Sequence, residues 1–562
     1  MGGAADLAFV NGAVYTVDAA GSWARAVAVR EGRIVAVGGD ADVREHVGPR
    51  TEVVDLRGKM LLPGFQDAHV HAAAGGMDRL RVDLSEVHDL EAYARLIRDY
   101  AERNPEAPWI TGGGWAMDVF PAGTPSRREL DRIVPDRPAF LSNRDNHAAW
   151  VNTRALELAG IDARTPDPPD GRIERETDGS PQGTLHEGAM ALVRRLIPPP
   201  SEQDLARAIL VAQAYLHSLG ITAWQEAVVG EYPTMPNCRE AYPALAGRGE
   251  LTARVVGALW LERGRGVEQV DELVGHREAT TIGNYRATTV KIMADGVCEN
   301  FTAALSDPYL DREGRPTGNT GLEYFEPDTL REVVVRLDAL GFQVHVHAIG
   351  DRACRDALDA IEAARRANGW NDNRHHIAHI QVVHPSDIPR FRALGVAANA
   401  QMLWAAHDPQ MDELTIPFLG PERTGWQYPF GSLAASGAVL CAGSDWPVST
   451  PDPLQEMHVG VHRTTPPGYV YGVASGEPFL PEQRLTLAQA IRAFTMGSAY
   501  VNHLDRETGS IEVGKLADLV VLSADLFELD TPADARVLLT LVGGERVYEA
   551  PDFGIRSSWP RP

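Results

Sequence analysis

Eight short apolar segments alternate with helical patterns through most of this chain, and this alternation restricts the fold more than any other feature. The predicted strands are the segment that ends at His69-Val70-His71 and residues 221–226, 254–259, 288–293, 342–347, 376–381, 396–400 and 439–442. Helical spacing of apolar residues separates several of these strands, as over residues 328–340, 352–367 and 385–394. Strands that alternate with helices form parallel sheets. We therefore predict an α/β fold, a (β/α)8 TIM barrel over residues 63–505.

The first connection between barrel strands is much longer than the others. Roughly 150 residues separate the first predicted strand from the second, and we interpret about residues 78–200 as an insertion. Loops that follow barrel strands open onto the C-terminal face, where the active sites of such barrels lie, so we expect the insertion to cover that face. We interpret its large aromatic residues first as its own hydrophobic core. These residues are Trp109, Trp115, Phe120 and Trp150.

The two ends of the chain have short strand patterns and tight turns instead. Residues 1–62 contain several such strands, and Asn11-Gly12 between the first two is a strong hairpin signal. Residues 506–562 contain three more strand patterns and a Gly543-Gly544 turn. Each end has few strands for an independently stable sheet. We therefore predict that both ends pair into one composite β-sandwich.

Ionisable side chains gather at the predicted C-terminal ends of the barrel strands. They are His69, His71, Lys291, His345, His347, His379 and Asp445. His69 and His71 alternate on one strand and therefore project from the same face. Charged groups are rarely buried inside a barrel unless they are paired or coordinated, so the pattern predicts a metal centre. His347 lies nearer the strand end than His345, which makes His347 the better ligand and His345 a supporting residue.

Some of these residues have simpler interpretations. Lys291 can instead form an ion pair with Asp295 or Asp445 inside the barrel, and His345 can be a core histidine with satisfied hydrogen bonds. Three histidines near the sixth strand are predicted to lie on loops or on the surface, and two in the insertion could reach the site. The first group is His375, His376 and His384, and the second is His147 and His186.

Composition and charge disfavour several partners. The chain has 53 Lys and Arg residues against 77 Asp and Glu residues, a net charge of −24, which works against binding nucleic acid. The first residues lack the basic and apolar regions of a signal peptide, and no apolar run reaches transmembrane length. We therefore expect a cytoplasmic protein without a membrane partner. Its four cysteines are far apart in the sequence and are predicted to be buried and unpaired.

Several motifs together resemble the metal-dependent amidohydrolase superfamily. They are Pro63-Gly64-Phe65-Gln66-Asp67-Ala68-His69-Val70-His71, Val290-Lys291, His347-Ala348-Ile349-Gly350-Asp351, His379, Gly443-Ser444-Asp445 and residues 509–522. Three further matches are similar to the amidohydrolase-3, YtcJ-like branch, which includes N-substituted formamide deformylases. They are Gly113-Gly114-Trp115, residues 291–296 and residues 347–351. The resemblance covers nearly the whole chain.

The resemblance implies a site for one or two divalent metal ions, with zinc as the first choice. The implied ligands are His69, His71, Lys291, His347, His379 and Asp445. The two histidines of the first strand would bind the deeper ion, and those of the fifth and sixth strands a second or shared ion. Asp445 would also shuttle a proton. Lys291 lies where many relatives carboxylate a lysine, and a carboxylated Lys291 would bridge two ions, whereas an unmodified amine would favour one.

The implied reaction is hydrolysis of a C–N bond, such as a linear amide, in a small molecule. Aromatic residues near the expected site, where basic residues are sparse, favour an apolar or aromatic substrate such as an N-substituted formamide. The candidate substrate contacts are Trp115, His345, Trp404 and Trp446. Cyclic-amide or ester hydrolysis, deamination, or metal binding without catalysis are the alternatives. A homo-oligomer is compatible with such a barrel.

Overall fold

The computed structural model describes residues 3–232, 235–470 and 476–554 of the 562-residue chain. Within these residues the strands are β1 (Leu7–Val10), β2 (Ala13–Tyr15), β3 (Trp23–Ala24), β4 (Ala26–Arg30), β5 (Arg33–Gly38), β6 (Glu52–Asp55), β7 (Met60–Pro63), β8 (Phe65–Val70), β9 (Val82–Asp83), β10 (Ile110–Trp115), β11 (Ala139–Asn143), β12 (Ala148–Val151), β13 (Gly171–Arg175), β14 (Pro181–Glu187), β15 (Ile221–Val229), β16 (Arg254–Trp260), β17 (Tyr285–Met293), β18 (Gln343–Ala348), β19 (His376–His379), β20 (Ala397–Ala400), β21 (Leu440–Ala442), β22 (Leu519–Leu522), β23 (Val537–Val542) and β24 (Glu545–Glu549). The α-helices are α1 (Asp40–Arg44), α2 (Ala72–Arg79), α3 (Leu90–Arg103), α4 (Arg127–Ile133), α5 (Thr153–Ala159), α6 (Ala191–Arg194), α7 (Glu202–Ser218), α8 (Ala241–Gly247), α9 (Val270–Thr280), α10 (Pro327–Ala339), α11 (Asp351–Asn368), α12 (Ile388–Leu394), α13 (Ile416–Thr424), α14 (Phe430–Ser436), α15 (Pro453–His462), α16 (Leu487–Arg492) and α17 (Ser498–Val501).

The barrel strands form one parallel sheet of eight strands in the order β21-β20-β19-β18-β17-β16-β15-β8. Helix α7 shows how the sequence sets this alternation. Ser201 and Asp204 form a reciprocal capping box at its N-terminus, and its buried face packs on the barrel before the chain enters β15. In the ladder, Lys291 on β17 lies opposite His345 on β18, and Met293 lies opposite His347. The predicted (β/α)8 barrel is confirmed.

Strands β8 and β21, at the two edges of this sheet, are joined by contacts that follow β21. The Asp67 carboxylate accepts hydrogen bonds from the Ser444 hydroxyl at 2.6 Å and from the Ser444 backbone N–H at 3.2 Å. Asp445 N–H donates to His69 O at 2.8 Å. Burial raises the pKa of Asp67 to about 7. This seam places Asp445 beside the His69 strand end.

The sandwich is built from both ends of the chain. Its larger sheet has the order β24-β23-β22-β7-β2-β3, so that C-terminal β22 pairs antiparallel with N-terminal β7. The other sheet, β5-β4-β1-β6, comes from the N-terminal end alone. Phe9, Leu61, Leu519 and Leu541 share one buried cluster that both ends of the chain supply. The predicted composite sandwich is confirmed.

The hairpin predicted at Asn11-Gly12 is wrong. Strand β1 pairs with β4 and β6 of one sheet, whereas β2 pairs with β3 and β7 of the other. Asn11 has a positive φ of 56°, and the Gly12 N–H donates to Arg25 O at 2.9 Å. A left-handed backbone conformation is typical of a hairpin turn, but at Asn11 it turns the chain from one sheet into the other. Two short strands with alternating apolar residues are compatible with either connection, so their pattern does not distinguish the two.

The insertion contributes its own six-stranded sheet, β13-β14-β12-β11-β10-β9. Its aromatic residues lie in two buried clusters, as the first interpretation held. Trp115 is fully buried there and donates its indole N–H to Leu141 O at 2.8 Å, so the predicted substrate contact of Trp115 is wrong. Residues 145–147 of the insertion line the same cavity as the barrel histidines. The insertion therefore reaches the C-terminal face.

Two simpler expectations concern the cysteines and the helices. Cys238, Cys298, Cys354 and Cys441 are all buried and unpaired, as predicted. In the described part of the chain, no helix has both the length and the apolar character needed to cross a membrane.

Arg254 links the barrel to the sandwich. This residue begins β16, and its guanidinium donates to both carboxylate oxygens of Asp518 at 2.7 and 3.0 Å. Asp518 precedes β22, is almost fully buried, and also accepts a hydrogen bond from the Gly543 N–H at 2.6 Å. The ion pair therefore fixes one end of the sandwich against the start of a barrel strand.

We expect Arg254→Met to destabilise this junction, because the buried Asp518 carboxylate loses its cation. Removing one partner of a buried ion pair costs about 3–5 kcal/mol, and we expect about 2–3 kcal/mol here since Arg254 keeps some contact with solvent. Urea unfolding followed by fluorescence measures the change. Arg248→Met is the matched control, because Arg248 pairs with Glu250 on the surface. Equal midpoints for the two variants would contradict the expectation.

Candidate metal centre and active site

Side chains from β8 and the residue after it, from β19 and from the loop after β21 meet in one buried cluster. The Nε2 atoms of His69 and His71 each lie 3.0 Å from Asp445 Oδ1. His379 Nδ1 lies 4.0 Å from Asp445 Oδ2. One ligand atom each from His69, His379 and Asp445 lies within 4.8 Å of the other two. Strand order and the seam after β21 therefore bring together residues that are far apart in the sequence.

This donor set fits a divalent metal ion. Imidazole nitrogens and carboxylate oxygens are ligands that zinc and similar ions prefer. Among the residues that the structure describes, none forms a hydrogen bond with Asp445 Oδ1 or His379 Nδ1, although both atoms are buried. Burial lowers the pKa of His71 and holds those of His69 and His379 well below their ordinary range. The imidazoles are therefore neutral, which is the form that binds metals.

His347 lines the same cavity beside His379. Its ring centroid lies 4.4 Å from that of His379, and its Nε2 lies 3.1 Å from Gly296 O. Burial holds the pKa of His347 well below its ordinary range. The structure thus places all of the predicted ligands around one cavity, and the ligation of each stays a prediction.

Lys291 also lines the cavity and is almost fully buried. Its Nζ lies 3.5 Å from His345 Nε2. Asp295, the alternative ion-pair partner, instead accepts hydrogen bonds from the backbone N–H groups of Ala304 and Ile349-Gly350. Burial lowers the pKa of Lys291 to about 7. A substantial fraction of Lys291 is therefore an uncharged amine near neutral pH.

His345 lies one layer below the cavity rather than in its lining. Its Nδ1 lies 2.7 Å from Gln225 Oε1, and its Nε2 lies 2.8 Å from His69 Nδ1. Because an amide oxygen only accepts, His345 carries its proton on Nδ1 and offers Nε2 as an acceptor for the His69 Nδ1–H. This leaves His69 Nε2 with its lone pair towards Asp445. The predicted substrate contact of His345 is wrong, and it supports a ligand candidate instead.

Two of the three histidines expected on loops near the sixth strand are fully buried. His376, predicted outside, is fully buried on β19, and its Nε2 lies 3.1 Å from Gln225 Oε1. His375, also predicted outside, is fully buried with its Nε2 at 2.8 Å from Asp338 Oδ1. Only His384 is half-buried on a loop. His376 is satisfied by a polar residue inside the barrel, Gln225, and His375 by Asp338 of helix α10, so both histidines can be buried although sequence polarity assigns them to solvent.

The two remaining aromatic candidates have different surroundings. Trp404 lines the cavity and stacks on His379, with centroids 5.3 Å apart and ring planes 6° from parallel. The Trp446 ring instead packs on Tyr215, 5.4 Å between centroids, and lines a separate surface pocket with Arg79. The predicted substrate contact of Trp446 is therefore wrong. Its role is through its backbone, since Trp446 O accepts the His71 N–H at 2.8 Å.

The insertion supplies a histidine–carboxylate pair, of which the sequence offered His147 as a residue that could reach the site but did not indicate Glu187. His147 lines the cavity, its ring centroid lies 5.6 Å from that of His347, and its Nδ1 lies 2.8 Å from Glu187 Oε1. Although burial opposes both effects, the pairing raises the pKa of His147 and lowers that of Glu187 to about 2. Glu187 has φ 50° and ψ −128°, a strained conformation of the kind found at functional sites. His186 faces Glu174 instead, at 3.0 Å.

The sequence profile of the amidohydrolase family matches residues 52–548 of the chain. The chain belongs to the amidohydrolase family. The protein LONG AFTER FAR-RED 3 of Arabidopsis thaliana is 32% identical over 555 residues, covering 97% of this amidohydrolase and 92% of that protein. The amidohydrolase YtcJ of Bacillus subtilis, whose assignment is provisional, is 31% identical over 96% of this chain and 98% of its own.

Two further comparisons concern activity and structure. The N-substituted formamide deformylase of Arthrobacter pascens is 29% identical to this amidohydrolase over 97% of this chain and 98% of its own. The crystal structure of an uncharacterized metal-dependent hydrolase from Pyrococcus horikoshii superposes with a TM-score of 0.72 at 26% identity, covering 93% of this chain and 98% of that one. The resemblance found in the motifs is confirmed. This amidohydrolase is a metal-dependent hydrolase that acts on carbon–nitrogen bonds.

We expect His345→Leu to weaken metal binding by this amidohydrolase about 10- to 100-fold, the usual effect of losing a partner that orients a histidine ligand. The physical reason is that His69 Nδ1 loses its acceptor. Metal retained in competition with a chelator, measured by elemental analysis, reports the change. His384→Leu is the matched control, because His384 bonds Ser386 two residues on in its loop, packs on Trp426 and does not line the cavity. Equal retention by both variants would contradict the expectation.

Proposed function

We propose that this amidohydrolase hydrolyses a linear amide of a small molecule with an apolar or aromatic substituent, such as an N-substituted formamide, and that its metal is zinc. The observation that carries the proposal is a buried cavity in which His69, His71 and Asp445 converge beside the flat face of Trp404. The name of the Arthrobacter pascens relative supports the same reaction. Imidazole-rich donor sets favour zinc over magnesium or calcium.

When bound, the ion supplies Lewis-acid chemistry, since it lowers the pKa of water and polarises a carbonyl oxygen. The protein's own residues transfer the proton of the attacking water. Asp445 Oδ1 faces the two histidines of the first strand, which leaves Oδ2 to accept a proton from the attacking water and return it to the leaving nitrogen. Lys291 stays a predicted ligand: its uncharged amine would add to carbon dioxide and release a proton, and the carbamate anion so formed would help to hold the metal.

The walls of the cavity position the substrate. Trp404, held flat on His379, offers an aromatic face to an acyl or amine substituent. Val297, Ile349 and Val448 line the same cavity and exclude water from the reacting groups. His147 has its Nδ1 engaged by Glu187, so its Nε2 is the atom that remains to hydrogen-bond the substrate amide.

Hydrolysis of N-benzylformamide by the zinc-loaded protein tests the reaction. We expect equimolar formate and benzylamine, loss of turnover after chelation, and recovery when zinc is restored, because the carbonyl must be polarised for attack. Chromatography of both products measures the outcome. Benzyl formate, which lacks the nitrogen, separates ester hydrolysis from amide hydrolysis. Release of neither product from N-benzylformamide, or turnover that survives complete chelation, would overturn the proposal.

We expect Asp445→Asn to lower kcat for the amide by about 10²–10⁴-fold, because an amide cannot take the proton from water. Metal content is measured on the same sample, since Asp445 is also a predicted ligand. Asp412→Asn is the matched control: it removes a surface carboxylate that pairs with His407. Full activity of Asp445→Asn with its metal intact would remove the proton-transfer role.

A further inference from the structure

A second cavity adjoins the cavity that contains the predicted metal ligands. We name it the outer chamber, bounded chiefly by Asp145, Glu299, Trp404, Asp408, Tyr428 and Val448. Five residues line both cavities, namely Asp145, Val297, Ile349, Trp404 and Val448. A substrate whose scissile bond lies beside the metal ligands therefore extends a substituent into the outer chamber. The chemistry of this chamber sets which substituent is accepted.

Negative charge exceeds positive charge in the outer chamber. Its acidic lining residues are Asp145, Glu299 and Asp408, and within the described part of the chain Arg144 is its one basic lining residue. The Arg144 guanidinium is already engaged, at 2.9 Å from Gln410 Oε1 and 3.8 Å from Asp408. Arg144 and Asp408 therefore offset each other. The carboxylates of Asp145 and Glu299 remain without a cation from this lining.

Two polar groups of the outer chamber have bonding capacity to spare. The Asp145 Oδ1 atom accepts the backbone N–H of His147 at 2.9 Å, which leaves Oδ2 available at the junction of the two cavities. The Tyr428 side chain is 2% exposed, yet none of the residues that the structure describes forms a hydrogen bond with its hydroxyl. Because Tyr428 lines the outer chamber, this unpaired hydroxyl is open to a ligand that enters the chamber.

We infer that the outer chamber binds a cationic group, an ammonium or amidinium, on the substituent of the substrate. Asp145 Oδ2 supplies the counter-charge, and the Tyr428 hydroxyl accepts an N–H from the same group. The face of Trp404 attracts a cation through its π electrons while it packs on the apolar part of the substituent. The inference rests on the proposed function only in placing the scissile amide in the adjoining cavity.

The same lining disfavours the two other charge types. An anionic substituent would face Asp145 and Glu299 across a partly desolvated space, and Arg144 could not neutralise it without leaving Asp408. A neutral apolar substituent would fill the space but would leave the Asp145 oxygen and the Tyr428 hydroxyl desolvated without partners. A cation satisfies both groups. The net negative charge of the chamber therefore favours a cationic substrate over a neutral or anionic substrate of the same shape.

Isothermal titration calorimetry on the zinc-loaded full-length protein tests the inference with three ligands that share a phenyl ring and differ in charge. Benzamidine is the cation, acetophenone the neutral analogue and benzenesulfonate the anion, and none of the three contains a formamide bond. We expect benzamidine to bind about tenfold more tightly than acetophenone, the lower end of what a close charge pair contributes. Benzenesulfonate should bind most weakly.

Two variants locate the effect. Asp145→Asn should reduce the preference for benzamidine over acetophenone to about twofold or less, because it keeps the shape of the side chain and removes the charge. Tyr428→Phe should weaken benzamidine binding about threefold, as expected for one hydrogen bond. Asp136→Asn is the matched control, since Asp136 is an exposed carboxylate of the same insertion and does not line the chamber. It should keep the full preference.

An equal affinity for benzamidine and acetophenone, a preference for benzenesulfonate, or the same loss of preference in Asp136→Asn and Asp145→Asn would each overturn the inference. Because the three ligands report binding alone, the result does not depend on turnover. If N-benzylformamide is not hydrolysed but the preference for benzamidine holds and is lost in Asp145→Asn, the proposed reaction fails and the cation site stands. If the amide is hydrolysed and no such preference exists, the reaction stands and the cation site fails.

Discussion

The closure of the barrel depends on the buried Asp67 carboxylate, which binds the loop after the last barrel strand to the first. Asp67 accepts hydrogen bonds from Ser444, and directly beside it the Asp445 N–H donates to His69 O. Where β21 meets β8, these contacts take the place of the regular backbone hydrogen bonds between paired strands. They also fix the one spacing on which the metal centre depends, since the Asp445 carboxylate can face the His69 and His71 rings only when this seam is closed. The same contacts therefore close the barrel and set the distance between the predicted metal ligands.

Below the cavity, a layer of neutral polar residues fixes the direction of the ligand histidines. Gln225 Oε1 contacts both His345 and His376, and His345 in turn contacts His69. Each contact determines where the next ring carries its proton, so the neutral groups Gln225 and His345 leave His69 with an unprotonated Nε2 that faces Asp445. A charged partner at this depth would carry a large desolvation cost. Satisfied amide and imidazole groups achieve the same orientation at lower cost.

The sequence predicted backbone order far better than side-chain environment. Periodicity and strand count lead to the barrel, and the rule that parallel strands end on one face brought the predicted ligands to one cavity. Residue type alone does not distinguish a core from a cavity, so the sequence predicts substrate contacts for Trp115 and Trp446 although both pack against their own neighbours. Residue type also does not show that His376 has a hydrogen-bond partner, Gln225, inside the barrel. No local motif marks Glu187. Its carboxylate contacts His147 because of a strained backbone turn, which the sequence does not predict.

The division between barrel and insertion explains how one metal site can serve different substrates. The predicted ligands come from strand ends whose positions are fixed by ladders and by the seam, so they tolerate little change. The groups that we propose to contact the substrate also come from loops: Asp145 and His147 from the short connection between β11 and β12 of the insertion, and Tyr428 from the loop before α14. Loops can change sequence without disturbing the barrel. Charge in the outer chamber can therefore vary while the hydrolytic centre is retained, and relatives that share the ligand set need not share a substrate.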